Sequence, residues 1–197
     1  MKILFISDNF PPEVNAPASR TYEHAKRWVS EGAEVTVITC APNFPKGEVH
    51  PGYQNRWRTI EDVDGIRVVR VKSYITGNEG FSRRILDYVS FMFSAVFFGL
   101  FEQRPDVIVG TSPQFFAAVA AWKLSILKWR PFVFELRDLW PASIVTVGAM
   151  KKGLAIRLLE KLELFLYRRA AAIIPVTESF KEDLERRGID GSKIHVV

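Results

Sequence analysis

Short apolar runs alternate with longer amphipathic segments along most of the chain. The apolar runs are nearly continuous and are each followed by polar residues, a pattern typical of strands buried in a parallel sheet. They cover residues 2–7, 34–39, 106–110, 132–136 and 172–176. The segments between them predict helices over residues 19–31, 83–101, 114–128 and 153–169, with a shorter helix before Gly188. This alternation predicts an α/β fold: a doubly wound, mainly parallel, Rossmann-like sheet with helices on both faces.

Local signals add detail to this scheme. Residues 59–63 and 66–71 flank Asp64-Gly65, which predicts a small β-hairpin excursion. Ser179 with Glu182 resembles a capping box that would open the last helix. The final residues, 194–197, read as the start of one more strand.

Two segments depart from ordinary core or surface composition. Residues 41–58 form a long polar loop rich in proline and glycine, and such loops are more often functional than structural. We expect this loop to line a cleft. Residues 83–101 are apolar on nearly every side, but their most apolar part, 89–101, is shorter than the roughly 20 residues needed to span a bilayer. Two interpretations of this segment remain: a core helix, or a helix that lies at the membrane interface.

Composition excludes several classes of protein. The net charge of +5 suits an anionic partner, but no zinc finger, basic zipper or aromatic RNA-binding motif is present, so we expect no nucleic acid partner. The single cysteine, Cys40, is compatible with a reducing cytoplasm, and the three histidines lack metal-ligand spacing, so we predict no metal. The loop after the first strand has no glycine, which disfavours an NAD or FAD site.

Ligands of open α/β sheets bind beyond the carboxyl ends of the strands, so the residues just after each strand are candidates. After the first strand, Asn15 and Arg20 could hold a phosphate at a helix N-terminus, or Asn15 and Ser19 could simply cap the helix. The remaining candidates follow later strands: Ser112 and Gln114, then Arg137 and Asp138 with Glu135 before them, and finally Glu178. Arg137 and Asp138 could contact a ligand or form a structural ion pair.

Several motifs together resemble the first domain of family 4 glycosyltransferases: KILFISDNFPPEVNAPASR, EVTVIT, the NFPKG loop, DGIRVVRV, RPDVIVGTSP, ELRDLWP and AAIIPVTESFKEDLERRGI. The resemblance covers essentially the whole chain and is closest to bacterial enzymes of surface polysaccharide synthesis, such as N-acetylfucosamine transferases. It implies one half of a GT-B fold, with residues 1–197 as the N-terminal, acceptor-side domain and the C-terminal donor-binding domain absent from the chain.

The resemblance also implies roles for residues. The loop around Asn15 and Ala16 would approach the donor diphosphate, and we group Arg20 with it. We assign acceptor contacts to Ser112, Gln114, Glu178 and Arg84. Asp138 and Arg137 occupy the place of the catalytic motif. Many relatives have Gly-Gly at the position of Asn15-Ala16, and many have histidine at the position of Arg137. Arg137 is therefore assigned as a charge-stabilising group and not as a base.

The function implied is retaining transfer of a sugar from a nucleotide-sugar donor, UDP-linked, to a polyprenyl-diphosphate-linked saccharide. No cofactor or metal is expected, and the chain alone is expected to be inactive. The location implied is cytoplasmic, peripheral on the inner face of the membrane. Two alternatives remain open: another GT-B enzyme such as a sugar-nucleotide epimerase, and a non-catalytic membrane-binding module.

Overall fold

The computed structural model describes residues 1–77, 81–139 and 153–197. The strands in these ranges are β1 (Lys2–Ile6), β2 (Glu34–Cys40), β3 (Arg58–Val63), β4 (Ile66–Val71), β5 (Val107–Thr111), β6 (Phe132–Leu136) and β7 (Ala172–Pro175). The helices are α1 (Ala16–Ser30), α2 (Phe81–Leu100), α3 (Phe115–Lys128), α4 (Leu154–Arg169) and α5 (Glu178–Arg186). The predicted alternation of strands and helices is confirmed.

All these strands join one sheet in the order β3-β4-β2-β1-β5-β6-β7. Neighbouring strands are parallel except β3, which pairs antiparallel with β4 at one edge. Asp64 and Gly65 both have positive φ, 53° and 79°, as a tight two-residue hairpin turn requires. The predicted hairpin is present, and its second strand extends the parallel sheet beside β2.

The sheet is buried on both faces, which explains why its strands are nearly continuous apolar runs. On one face, Ile3 and Phe5 pack with residues of α1. On the other, Leu4 and Ile6 join a larger core with α2, α3 and α4. Leu184 of α5 belongs to this second core, so α1 is the helix that covers the first face among the described residues.

Several predicted boundaries are wrong. Helix α1 begins at Ala16, three residues before the predicted Ser19, because the side chain of Asn15 accepts from the backbone N–H of Ala18 (2.8 Å). Thr177 is the N-cap of α5 instead of Ser179, since its hydroxyl accepts from the N–H of Phe180 (3.3 Å). Residues 194–197 lie beside β7, with a bridge between Ile194 and Ile173 and with the N–H groups of His195 and Val197 donating to the carbonyls of Ile173 (2.9 Å) and Pro175 (3.3 Å), but they do not form a regular strand.

Helix α2 is long, but no helix of the described ranges is both long and apolar enough to cross a membrane. Its inner side, with Phe91, Met92 and Ala95, is buried against α3 and the sheet. Its outer side leaves Phe93, Phe97 and other apolar side chains in solvent. Helix α2 is therefore apolar on nearly every side because one side packs in the core and the other forms an exposed apolar surface.

Candidate functional site

A cleft of about 290 Å³ opens at the carboxyl edge of the sheet. Strand β1 has β2 on one side and β5 on the other, so the chain order reverses there, and such switch points are where open α/β sheets bind ligands. The cleft is lined by the loop after β1, the loop after β2, the turn after β5 and the first half of α2. Asn43, Phe44, Pro45 and Gly47 confirm that the loop after β2 lines a cleft, as predicted.

Two carboxyl groups with raised pKa values line this cleft. Asp8 follows β1, and Asp87 projects from α2. Burial, reinforced by the charge of Glu13, raises the pKa of Asp8 to about 6, although Asn9 donates a hydrogen bond that lowers it. Burial and the charge of Asp8 raise the pKa of Asp87 to about 7, and Arg84 only partly offsets this. Near neutral pH, each group can therefore accept or donate a hydrogen bond.

Two residues at helix N-termini also line the cleft. Asn15 caps α1, and its Nδ2 donates to Oδ1 of Asn9 (2.7 Å), so the predicted phosphate-binding residue has a capping role here. Gln114 precedes α3 but makes no side-chain cap. Its side chain is only 3% exposed, and its Oε1 has no hydrogen-bond partner among the described residues. A buried acceptor of this kind is costly unless a ligand or water uses it.

Arg137 and Asp138 lie beside the cleft in a hydrogen-bonded network. The hydroxyl of Ser112 is buried and accepts from the backbone N–H groups of Arg137 (2.7 Å) and Asp138 (3.2 Å). The guanidinium of Arg137 donates to the carbonyls of Ala16 and Pro17, both at 3.2 Å. Arg137 thus ties the start of α1 to the end of β6. The sequence predicted Arg137 and Asp138 either as ligand contacts or as a structural ion pair with each other.

Arg20 is held on the α1 side of the sheet. Its Nε lies 3.4 Å from Oε1 of Glu135, and Nδ1 of His24 lies 3.0 Å from the same oxygen. Neither contact has standard hydrogen-bond geometry at Glu135, which is 2% exposed. Burial raises the pKa of Glu135, but His24, Thr111 and Arg137 outweigh it and hold that pKa below its usual value. Arg20 therefore lies in an ion pair with a buried carboxylate and does not line the cleft.

The two remaining predicted acceptor residues lie in different places, one in the cleft and one outside it. Arg84 lines the cleft from α2 and donates to the hydroxyl of Tyr88 (3.2 Å). Glu178 is exposed at the first position of α5, beyond β7, and β6 lies between β7 and β5. The cleft itself therefore combines Asn15, Arg84 and Gln114 of the predicted set.

Sequence reasoning missed Asp8 and Asp87 as site residues. Asp8 could have been found, because it directly follows a predicted strand. Asp87 carried a weaker signal, since it is the one acidic residue of an otherwise apolar helix. In the part of the chain described by the structure, no group of three or more histidine, cysteine or acidic residues could hold a metal ion.

The sequence profile of the glycosyl transferase 4-like domain family matches residues 15–197. The chain belongs to this family. It is 31% identical over 156 residues to a protein named as a colanic acid biosynthesis glycosyl transferase, WcaI of Escherichia coli (strain K12), covering 78% of this chain and 38% of WcaI. The glycosyl transferase 4-like chain therefore spans well under half the length of this relative.

Solved structures share the fold of this glycosyl transferase 4-like domain. Sucrose-phosphate synthase from Thermosynechococcus elongatus superposes with a TM-score of 0.63 at 14% identity over 100% of this chain and 47% of its own. Anabaena HepE in complex with UDP-glucose superposes with a TM-score of 0.57 at 16% identity, over 100% of this chain and 43% of HepE. The catalytic domain of starch synthase IV from Arabidopsis thaliana, bound to ADP and acarbose, superposes with a TM-score of 0.65 at 13% identity, over 100% of this chain and 51% of its own. The domain thus has the fold of the N-terminal half of a GT-B glycosyltransferase, as predicted.

Proposed function

We propose that this domain is the acceptor-side half of a retaining glycosyltransferase. The enzyme moves a sugar from a UDP-linked donor to a polyprenyl-diphosphate-linked saccharide in cell-surface polysaccharide synthesis. The observation that carries this proposal is the polar cleft at the switch point of the sheet, with the unpartnered Gln114 acceptor inside it. Family membership, the colanic acid relative and the UDP-glucose bound to HepE support it.

The cleft walls favour an acceptor sugar over the donor diphosphate. Asp8, Glu13 and Asp87 carry carboxyl groups, and Arg84 is the basic residue among the described lining residues. A doubly charged diphosphate would be repelled by this arrangement, whereas sugar hydroxyls can bond to carboxyl and amide groups. The donor is held mainly by the second half of the enzyme, which the matched relatives are long enough to contain.

Calorimetry tests this division of labour. We expect this chain to bind UDP-glucose weakly or not at all, because the proposal assigns most of the nucleotide contacts to the other half of the enzyme. A micromolar dissociation constant, equivalent to about 8 kcal/mol of binding free energy, would contradict the division.

Activity of the full-length enzyme tests the assigned residues. Arg137→Ala and Asp138→Ala should lower turnover much more than they lower the melting temperature if these residues act on substrate. Lys181→Ala, on α5, is the matched control for loss of a charge. If both variants melt early and the remaining folded enzyme turns over normally, the residues are structural ties and the catalytic assignment is wrong.

The outer side of α2 suggests how a lipid-linked acceptor reaches the cleft. Phe93, Phe97 and Phe101 are 61%, 55% and 68% exposed, and they recur at helical spacing with exposed Leu86 and Leu100. We call these five residues the α2 ridge. The first half of the same helix lines the cleft with Arg84, Asp87, Tyr88 and Phe91. One helix therefore connects an exposed apolar surface to the candidate site.

Basic side chains border the α2 ridge. Lys123 of α3 places its Nζ over the ring of Phe93 at 5.4 Å from the centroid. Lys128 donates to the carbonyl of Leu100 (3.1 Å), and Arg104 donates to the carbonyl of Lys128 (3.2 Å). Basic groups contribute about 1 kcal/mol each near anionic headgroups, and aromatic rings suit the interface. We infer that the α2 ridge docks on the cytoplasmic membrane surface, which places the enzyme peripherally on the inner face.

Co-sedimentation with anionic vesicles tests membrane docking. Binding should weaken with salt and with Phe97→Asp, while Val14→Asp, an equally drastic change at a 91% exposed site before α1, should leave it unchanged. Equal recovery with and without vesicles at low salt would overturn the proposal. A salt-independent dimer that Phe97→Asp dissociates would instead assign the ridge to a second copy of the chain.

Acceptor dependence separates the proposed transferase from a sugar-nucleotide epimerase. An epimerase would release free UDP from the donor without a lipid-linked acceptor. The transferase should release UDP at a substantial rate only when the acceptor is present. A purely membrane-binding module would turn over neither substrate.

A further inference from the structure

The carboxyl groups of the cleft differ in how fully they are used. Glu13 is 4% exposed, and its Oε1 accepts from the backbone N–H groups of Asn43 (2.7 Å) and Phe44 (2.9 Å). It holds the loop after β2 in place. Asp8 and Asp87 are partly exposed in the cleft, and neither forms an ion pair with a described basic residue. Glu13 therefore has a structural task, whereas Asp8 and Asp87 remain available to a ligand.

Gln114 provides an independent sign that the cleft receives a polar ligand. Its Oε1 is buried without a partner, and a carbonyl oxygen can only accept a hydrogen bond. A ligand that satisfies it must carry a donor such as a hydroxyl. A carboxylate group placed beside Gln114 has no donor to offer it and would add another negative charge to a cleft that already holds Asp8, Glu13 and Asp87.

We propose that this cleft selects an uncharged, hydroxyl-bearing sugar ring and rejects a sugar that carries a carboxylate, with Asp8, Asp87 and Gln114 as the selecting groups. The inference rests on the proposed function, because it names the substrate class of the same cleft. The volume of about 290 Å³ is at the lower end for small-molecule sites, which fits one sugar ring better than an oligosaccharide.

The electrostatics support discrimination in this direction. Burial raises the pKa of both carboxyl groups, and nearby negative charge adds to it: that of Glu13 at Asp8 and that of Asp8 at Asp87. An incoming carboxylate would meet the same penalty, since Arg84 is the basic residue among the described lining residues and the guanidinium of Arg137 beside the cleft already donates to the carbonyls of Ala16 and Pro17. A neutral hydroxyl can donate to an ionised carboxylate or accept from a protonated one, so it binds at either protonation state.

Saturation-transfer NMR on this chain at pH 8 tests the inference directly with two probes, methyl glucoside and methyl glucuronide. We expect the glucoside to bind in the millimolar range and the glucuronide about tenfold more weakly, since like charges in a cleft strongly oppose binding. The double variant Asp8→Asn with Asp87→Asn should reduce this discrimination to less than about twofold. Glu182→Gln, an exposed charge change on α5, should leave it unchanged.

The outcomes separate this inference from the proposed function. Equal binding of both probes, no binding of either at high millimolar concentration, or discrimination that survives the double variant would each overturn the inference. A cleft that discriminates in this way while the full-length enzyme transfers no sugar would overturn the proposed function alone. Gln114→Met gives a second measurement: it should weaken the glucoside several-fold without lowering the melting temperature.

Discussion

Buried carboxyl groups occur in two settings in this domain, and the settings differ in their partners. Away from the cleft, Glu102 contacts the guanidinium groups of Arg58 and Arg67, and Glu163 accepts from Arg187 and from the hydroxyl of Tyr167 (2.7 Å). In the cleft, Asp8 and Asp87 lie near enough for the charge of one to raise the pKa of the other, and neither forms an ion pair with a described basic residue.

The difference separates acidic residues that stabilise the fold from acidic residues that are available to a ligand. Burying a charge is costly, and a partner offsets part of that cost: burial still raises the pKa of Glu163, but Arg187 and Tyr167 work against it. The cleft acids lower stability at neutral pH and are expected to be retained for what they bind. Each prediction below tests whether the two settings behave differently.

The largest effect should come from breaking a structural pair. Arg187→Met leaves Glu163, 2% exposed, without its cation, and should cost about 3 kcal/mol, or roughly 6–12 °C in melting temperature. Arg186→Met is the matched control, because Arg186 is 73% exposed. Thermal melts check both. Equal, small losses would show that the pair does not stabilise the domain.

A cleft acid should respond in the opposite direction. Asp87→Asn removes a group whose charged form is disfavoured, so we expect a gain on the order of 1 kcal/mol at pH 8. The gain should shrink as the pH falls and vanish only below about pH 4, where the group is protonated in both the folded and the unfolded state. A loss of stability at pH 8 would mean that the ionised Asp87 has a stabilising partner.

The wild-type pH dependence follows from the same pKa values. Because the folded-state values of about 6 for Asp8 and about 7 for Asp87 exceed the ordinary 3.8, the folded state keeps protons that the unfolded state releases. Their contribution is therefore present at low pH and is lost as the pH rises from about 4 to about 7. Thermal melts of the wild type and of Asp87→Asn across this pH range, taken as a difference, isolate the contribution of Asp87. A flat difference curve would contradict it.

The smallest effect should come from Gln114. Replacing its unpartnered carbonyl by the isosteric Met should change stability by less than about 0.5 kcal/mol, or stabilise the domain. Thr21→Val is the contrast: its buried hydroxyl donates to the carbonyl of Pro17 (2.8 Å), so its loss should cost about 1 kcal/mol. Chemical denaturation measures both. Similar costs would show that Gln114 Oε1 has a partner in solution.

Much of the fold could be predicted from local pattern. Strand β6 was predicted at its observed bounds, and the Asp64-Gly65 turn was identified because only certain residues accept positive φ at both positions. The capping of α5 was misplaced because Thr177 and Ser179 are chemically similar, and the path of the chain after β7 decides which hydroxyl meets a free N–H.

The site was only partly predictable. Position after a strand correctly selected Asn15 and Gln114 as lining residues. The same rule also selected Arg20 and Arg137, which the structure ties to Glu135 and to the carbonyls of α1. Proximity to a strand end places a residue at the right edge of the sheet, but neighbouring helices determine whether its side chain points into the cleft.

By itself, the sequence determined the alternation of elements, the hairpin and the family, because each depends on residues close together in the chain or on whole motifs. Only the tertiary structure decided which acids are paired and which face the cleft. Asp8 and Asp87 come from distant segments, and both line the cleft because β1 lies at the centre of the sheet and α2 packs on α3 and on β2 and β4 beside it. A charge acquires its role from the dielectric and the partners around it, and those are set by packing.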